Sequence, residues 1–233
     1  MDGSTDVEAA RVMAKHLDTE HHEVKFTPQE GIDALQKVVY AVESFDITVI
    51  RASVGMYLVS KYIKEKTDTT VIFSGEGSDE LCQGYIYFHK APSAKDAHDE
   101  SCRLLEDLYY YDVLRTDRTT AAHGLEVRVP FLDKYFTSYY LSLPAEHRQP
   151  QNGVEKYLLR SAFNGTGLLP DKILWRPKEG FSDGVSSKEK SWYSLLQEFV
   201  EHKVSPHTYQ LNLDGLVQCT PNSICSFFPG LLT

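Results

Sequence analysis

Apolar residues recur at helical spacing through the first sixty positions of the chain. Val7, Ala10, Met13, Ala14 and Leu17 form one stripe, which predicts a short amphipathic helix over 6–17. Val24 and Phe26 then alternate with charged or polar neighbours, the period of a strand over 21–26. A strong helix start follows. Thr27 can cap, Pro28 suits the first helical position, and Glu30 stands three residues after the cap. Ile32, Leu35, Val38, Val39 and Val42 carry the apolar face to about Val42. A third helix is expected over 52–66, with Met56, Val59, Tyr62 and Ile63 inward.

The period changes at Thr69-Thr70-Val71-Ile72-Phe73, which is short, β-branched and ends in consecutive apolar residues. That is the pattern of a buried parallel strand. Helical periodicity returns over 93–111, is broken at Gly124 and Pro130, and resumes over 155–163 and 187–204. The last of these stretches carries Trp192, Leu195, Leu196, Phe199 and Val200. Helices around a strand that runs into a glycine-rich loop give an α/β fold, with a partial parallel sheet and a largely helical C-terminal half. Residues 204–233 stand apart. They contain one charged residue, Asp214, show no sustained period, and end in the apolar run Ile224 to Leu232. The expected division is a domain over 1–203 and a divergent, poorly patterned tail over 204–233.

With 24 Lys plus Arg against 33 Asp plus Glu, the net charge is −9, so an overall cationic footprint for nucleic acid is absent. No apolar run is long enough to span a bilayer, and the first residues lack the basic and apolar regions of a signal peptide. Cys82, Cys102, Cys219 and Cys225 show no C-x-x-C spacing and read as reduced thiols. These features point to the cytosol, with neither a nucleic-acid nor a membrane partner.

The most informative stretch is Ser74-Gly75-Glu76-Gly77-Ser78-Asp79-Glu80. It follows the strand, where ligands bind in open α/β sheets. Two glycines allow a tight turn and close approach of a ligand. Backbone N–H groups and the Ser74 and Ser78 hydroxyls could hold phosphate, and Mg²⁺ could reconcile phosphates with the three carboxylates. A solvated turn with an acidic helix start explains the same residues. In Gly124–Asp133, Glu126 and Arg128 fall on one side of an extended segment, where a structural ion pair is the simpler reading. In Trp175–Gly184, Arg176 and Lys178 stand in a Pro/Gly-rich loop beside Trp175 and Phe181, either an anion clamp or a solvated loop anchored by aromatics. Lys156 and Arg160 either join that positive region or cover an ordinary helix surface. His123 is a weak candidate base. The run Tyr109-Tyr110-Tyr111 reads as core or interface.

Four stretches in order, Ser44–Ser53, SGEGSDEL from Ser74, DRTTAAHGLEVRVPFLD from Asp117 and WRPKEGFSDG from Trp175, resemble the synthetase domain of glutamine-hydrolysing asparagine synthetases. The resemblance covers roughly residues 1–203. It implies an adenine-nucleotide-hydrolase-like parallel sheet and ATP-dependent amide formation on aspartate. In that family Mg-ATP and aspartate give β-aspartyl-AMP and pyrophosphate, and ammonia then gives asparagine and AMP. Carried onto this sequence, Glu76 corresponds to the acidic residue beside the reacting centre, and Lys178 to the lysine on the triphosphate. Ser74 and Gly75 correspond to nucleotide-lining positions, and Asp79 to a Mg²⁺–pyrophosphate ligand. Arg51, Arg128 and Asp133 lie in motifs that line or support the aspartate and nucleotide region. The family's S-G-G-x-D-S loop and its glutaminase cysteine are absent from these 233 residues. The expectation is therefore a fragment with little activity alone, or one that needs a protein partner to cover its incomplete sheet.

Overall fold

The computed structural model describes residues 4–180 and 191–203. Phe181 to Gly184 of the fourth motif, and the tail over 204–233, lie outside the described residues.

Local chemistry sets most helix boundaries. Helix α1 spans Thr5–Leu17, and the Ser4 hydroxyl at its start accepts from Val7 N at 3.2 Å. Helix α2, Pro28–Val42, carries the full capping box: Glu30 N donates to Thr27 Oγ1 at 3.2 Å, and Thr27 N to Glu30 Oε2 at 2.7 Å. Helix α3, Ile47–Lys66, begins a turn and a half before the apolar period suggests, because the Asp46 carboxylate accepts from Val49 N at 2.8 Å. That cap offsets the weak helix propensity of Ile47, Thr48, Val49 and Ile50.

The first core gathers Leu35, Val38, Val39 and Val42 of α2, Val49, Ile50 and Val54 of α3, and Trp192 and Leu196 of the last helix. Helix α3 packs against α2 and against α6, Asp112–Ala121. It therefore buries Ile50, Val54 and the small residues Ala52, Ser53 and Gly55 rather than one broad stripe. The expectation that Val59 points inward is corrected: it is exposed. Buried Ser53 satisfies its hydroxyl on Val49 O at 2.7 Å.

Residues 21–26 form no strand, contrary to their alternation. A strand needs a ladder, and here the side chains are held instead by ring contacts. Phe26 meets Trp192 edge-on at 6.4 Å between centroids, and His22 bonds the Tyr62 hydroxyl at 3.1 Å.

Among the described residues the sheet has two parallel strands, β1 at Val71–Phe73 and β2 at Glu126–Arg128, with Ile72 opposite Val127. The ladder extends beyond both ends, from Glu126 N to Thr70 O at 2.8 Å and from Ser74 N to Arg128 O at 2.9 Å. Parallel pairing and position match the expectation, but burial does not. Val71 is 44% exposed and Phe73 77%, because no further strand or helix among the described residues covers them.

Beyond β1, helix α4 is one turn, Ser78–Leu81. It is followed by α5, Ala94–Asp107, α7, Lys134–Ser142, α8, Ala145–Arg148, α9, Tyr157–Phe163, and α10, Asp171–Leu174. Helix α11, Trp192–Lys203, returns to α2. A second core under α4 joins Leu81, Cys82 and Tyr140, flanked by Leu105, Phe136 and Leu158. The loop between β1 and α4 thus leads from the sheet to the helix that carries Leu81 into the second core. The fold is α/β, with a small parallel sheet and a largely helical C-terminal region.

Candidate active site

The loop after Phe73 is shaped by its glycines. Gly77 has φ +84°, which favours glycine, and a Cβ there would collide with Leu132. Gly75 has open space on its Cβ side. The turn fronts a cavity of about 520 Å³, lined also by Thr48, Arg51 and Met56 of α3, by Asp112 and Arg115 of α6, and by Lys178.

One end of this cavity is built around Glu76. Its Oε2 lies 3.5 Å from Arg115 Nη2, and its Oε1 lies 3.5 Å from the Ser74 hydroxyl. Burial pushes the Glu76 carboxyl above the ordinary carboxylate range, and the Arg115 charge only partly opposes it. Arg115 is itself anchored by an ion pair to Asp112, one turn back on α6. The Tyr85 hydroxyl donates to Glu80 and lies 3.4 Å from Asp112 Oδ2, and burial pushes that phenol upward.

The other end is cationic around one carboxylate. Asp79 Oδ2 is 3.0 Å from Lys178 Nζ, and Oδ1 is 2.9 Å from Lys156 Nζ. Burial pushes Asp79 up, but the two ammonium groups outweigh it and hold the carboxyl below its ordinary range. Lys156 also donates to the Ser78 hydroxyl at 2.9 Å. Gly84 leaves room for this pair, since a Cβ there would strike Asp79 Oδ1 and come within 2.5 Å of Lys156 Cε.

Ser74, Gly75, Glu76, Asp79, Arg51 and Lys178 therefore share one cavity. Of the alternatives left open for Lys156, the structure takes the one that joins it to the positive region. Arg128 and Asp133 are not among the cavity-lining residues. Arg128 pairs with Glu126 at 2.5 Å on the exposed sheet face, the simpler reading of that segment. Asp133 caps α7, accepting from Tyr135 N and Phe136 N at 3.0 Å. His123 lies against the Tyr57 ring, and burial lowers its pKa. Tyr109, Tyr110 and Tyr111 are all exposed rather than core. The sequence reading missed Asp112, Arg115 and Tyr85. The i,i+3 spacing of Asp112 and Arg115, just ahead of the DRTT stretch, is the signal that could have found that pair.

Arg51 and Arg115 line the cavity, and among the described residues their buried Nε atoms have no hydrogen-bond partner. Donors left over at a buried site suit an anionic ligand. A family model described as asparagine synthase matches residues 1–98 and 90–220. The chain belongs to the asparagine synthase family. Asparagine synthetase [glutamine-hydrolyzing] of Gallus gallus is 65% identical over 204 residues, which is 88% of this chain and 36% of that protein. The Homo sapiens and Bos taurus proteins of the same name are 63% and 62% identical over the same spans. The chain thus spans 36% of the length of these curated relatives. Among the described residues, no helix is long and apolar enough to cross a membrane.

Proposed function

We propose that this cavity serves ATP-dependent amide formation on aspartate, through β-aspartyl-AMP to asparagine, AMP and pyrophosphate, with ammonia as nucleophile. The observation that carries the reading is the division of one cavity into a Glu76–Arg115 end and an Asp79–Lys178 end, with Lys156 also paired to Asp79. Glu76, with its carboxyl raised by burial, is suited to accept the proton lost by the attacking amine. Arg115 orients that carboxylate. Lys178 and Lys156 would neutralise charge that develops on a leaving pyrophosphate. Ser74, Gly75 and Arg51 would line the nucleotide.

The residues present suit a polyphosphate, given Lys156 and Lys178 on one carboxylate and Arg51 and Arg115 in the cavity lining. Asp79 is the carboxylate at the cationic end. As the position that matches the family's Mg²⁺–pyrophosphate ligand, it would hold Mg²⁺ together with phosphate oxygens. When bound, the ion would supply further neutralisation of phosphate charge.

These 233 residues carry neither an S-G-G-x-D-S loop nor the glutaminase cysteine. By themselves they should turn over slowly or not at all. Each missing oxyanion-type donor costs roughly 3 kcal/mol, about a hundredfold in rate. The test is aspartate-dependent pyrophosphate release with ATP, Mg²⁺ and ammonium, with Glu76→Gln and Lys178→Ala as controls. Turnover abolished by both substitutions supports a working synthetase, and its absence in a folded chain supports the inactive or partner-dependent reading. The exposure of Phe73 and Val71 favours a polypeptide partner that covers the sheet. Free Cys82 and Cys102 support a reducing compartment, the cytosol.

A further inference from the structure

The loop that delivers Lys178 to the cavity is tied to the first turn of α1. Arg176 Nη2 lies 2.6 Å from Asp6 Oδ1 and 3.4 Å from Glu179 Oε2, and the Thr5 hydroxyl donates to Glu179. Asp6 and Glu179 themselves line the cavity. Between Arg176 and Lys178 stands Pro177. Its ring fixes its own φ, and its bulk keeps Arg176 in an extended conformation. An anchor at Arg176 is therefore transmitted to Lys178 through a stiff two-residue arm. Past the arm, Lys178 Nζ donates to Glu179 O at 2.9 Å, so the turn closes on itself with its ammonium 3.0 Å from Asp79.

Half-exposed ion pairs such as Asp6–Arg176 add little to folding stability. What this pair can add is position. A lysine side chain has four rotatable bonds, and without a fixed backbone its ammonium would wander from Asp79. We propose that Asp6 and Arg176 form a clasp that seats Lys178, so that Asp6 is a positioning residue for the cationic end of the site although it touches neither Lys178 nor Asp79. The part that concerns phosphate rests on the function proposed above. The clasp itself does not.

The experiment reads the seat directly on the 233-residue chain. Lysine acetylation by a mild acylating reagent is followed by peptide mass spectrometry, lysine by lysine. In Asp6→Asn, the rate at Lys178 should rise about fivefold, the change expected when one half-exposed ion pair is lost. Lys156 should stay at its wild-type rate and the far-UV spectrum should be unchanged. Asp6→Glu should return Lys178 to near the wild-type rate. Asp79→Asn, which removes the shared counter-ion, should expose both lysines. A Lys178 rate unaltered in Asp6→Asn, or one that rises together with Lys156, would overturn the clasp. A second arm titrates inorganic pyrophosphate by calorimetry. Asp6→Asn should weaken binding about fivefold and should have no effect in a Lys178→Met background, since the clasp acts through that lysine. Wild-type chain that binds no pyrophosphate would overturn the phosphate reading, while the acetylation rates still decide the clasp.

Discussion

Lys178 meets Asp79 at 3.0 Å, a cation from the loop after α10 placed on a carboxylate in the first turn of α4. Lys156 reaches the same carboxylate at 2.9 Å, so one negative charge holds two positive ones in a half-buried corner. The relationship makes the corner sensitive to pH and to substitution in a definite direction.

Asp79→Asn should destabilise the chain by about 2 kcal/mol at neutral pH, between the values for exposed and buried ion pairs, because two ammonium groups are left without their counter-ion. The folded-state pKa of Asp79 is depressed, so its contribution is complete above the ordinary carboxyl pKa of about 4 and fades as pH falls through the lower folded value. Urea unfolding of both proteins from pH 7 down to pH 3 should show the gap closing.

Glu76→Gln should act in the opposite sense. The folded-state pKa of Glu76 is raised, so the wild-type chain loses stability as pH rises through that value. The glutamine variant should be more stable by about 1 kcal/mol at pH 8, the scale of desolvating a partly compensated polar group. The advantage should disappear below the ordinary carboxyl range. Equal pH profiles for the two proteins would contradict the buried placement of this carboxyl.

Gly84→Ala tests the packing of the same corner from outside it. The added methyl would displace the Asp79 carboxylate or the Lys156 stem. A loss of roughly 1–3 kcal/mol is expected from overpacking, with Lys156 acetylation accelerated. A neutral effect on both would show that Asp79 has room to move.

Phe73→Lys should cost less than about 0.5 kcal/mol, since the ring is 77% exposed and makes little core contact. Its effect should be on association. A charged residue on an uncovered strand discourages edge pairing, so light scattering at high concentration should fall relative to wild type.

The sequence by itself determined the elements whose signals are local. Thr27, Pro28 and Glu30 start α2 through bonds made within four residues. Glycine at 77 sits where φ is positive, and the apolar end at Phe73 pairs as a parallel strand. The same locality misled where partners decide the outcome. Residues 21–26 alternate like a strand but find no ladder, and Val59 fits the expected stripe of α3 while the helix buries a different face between α2 and α6. The sequence also marked Ser74, Gly75, Glu76, Asp79, Arg51 and Lys178 one at a time, by motif. Only the tertiary structure decided that these share a cavity while Arg128 and Asp133 turn to an ion pair and a helix cap. It alone brought Arg115, paired with Asp112, to Glu76, and Asp6 to the loop of Lys178. The reason is physical: capping and turn geometry are settled within a few residues of chain, whereas the charge of a carboxylate is settled by whatever folding brings within 4 Å of it.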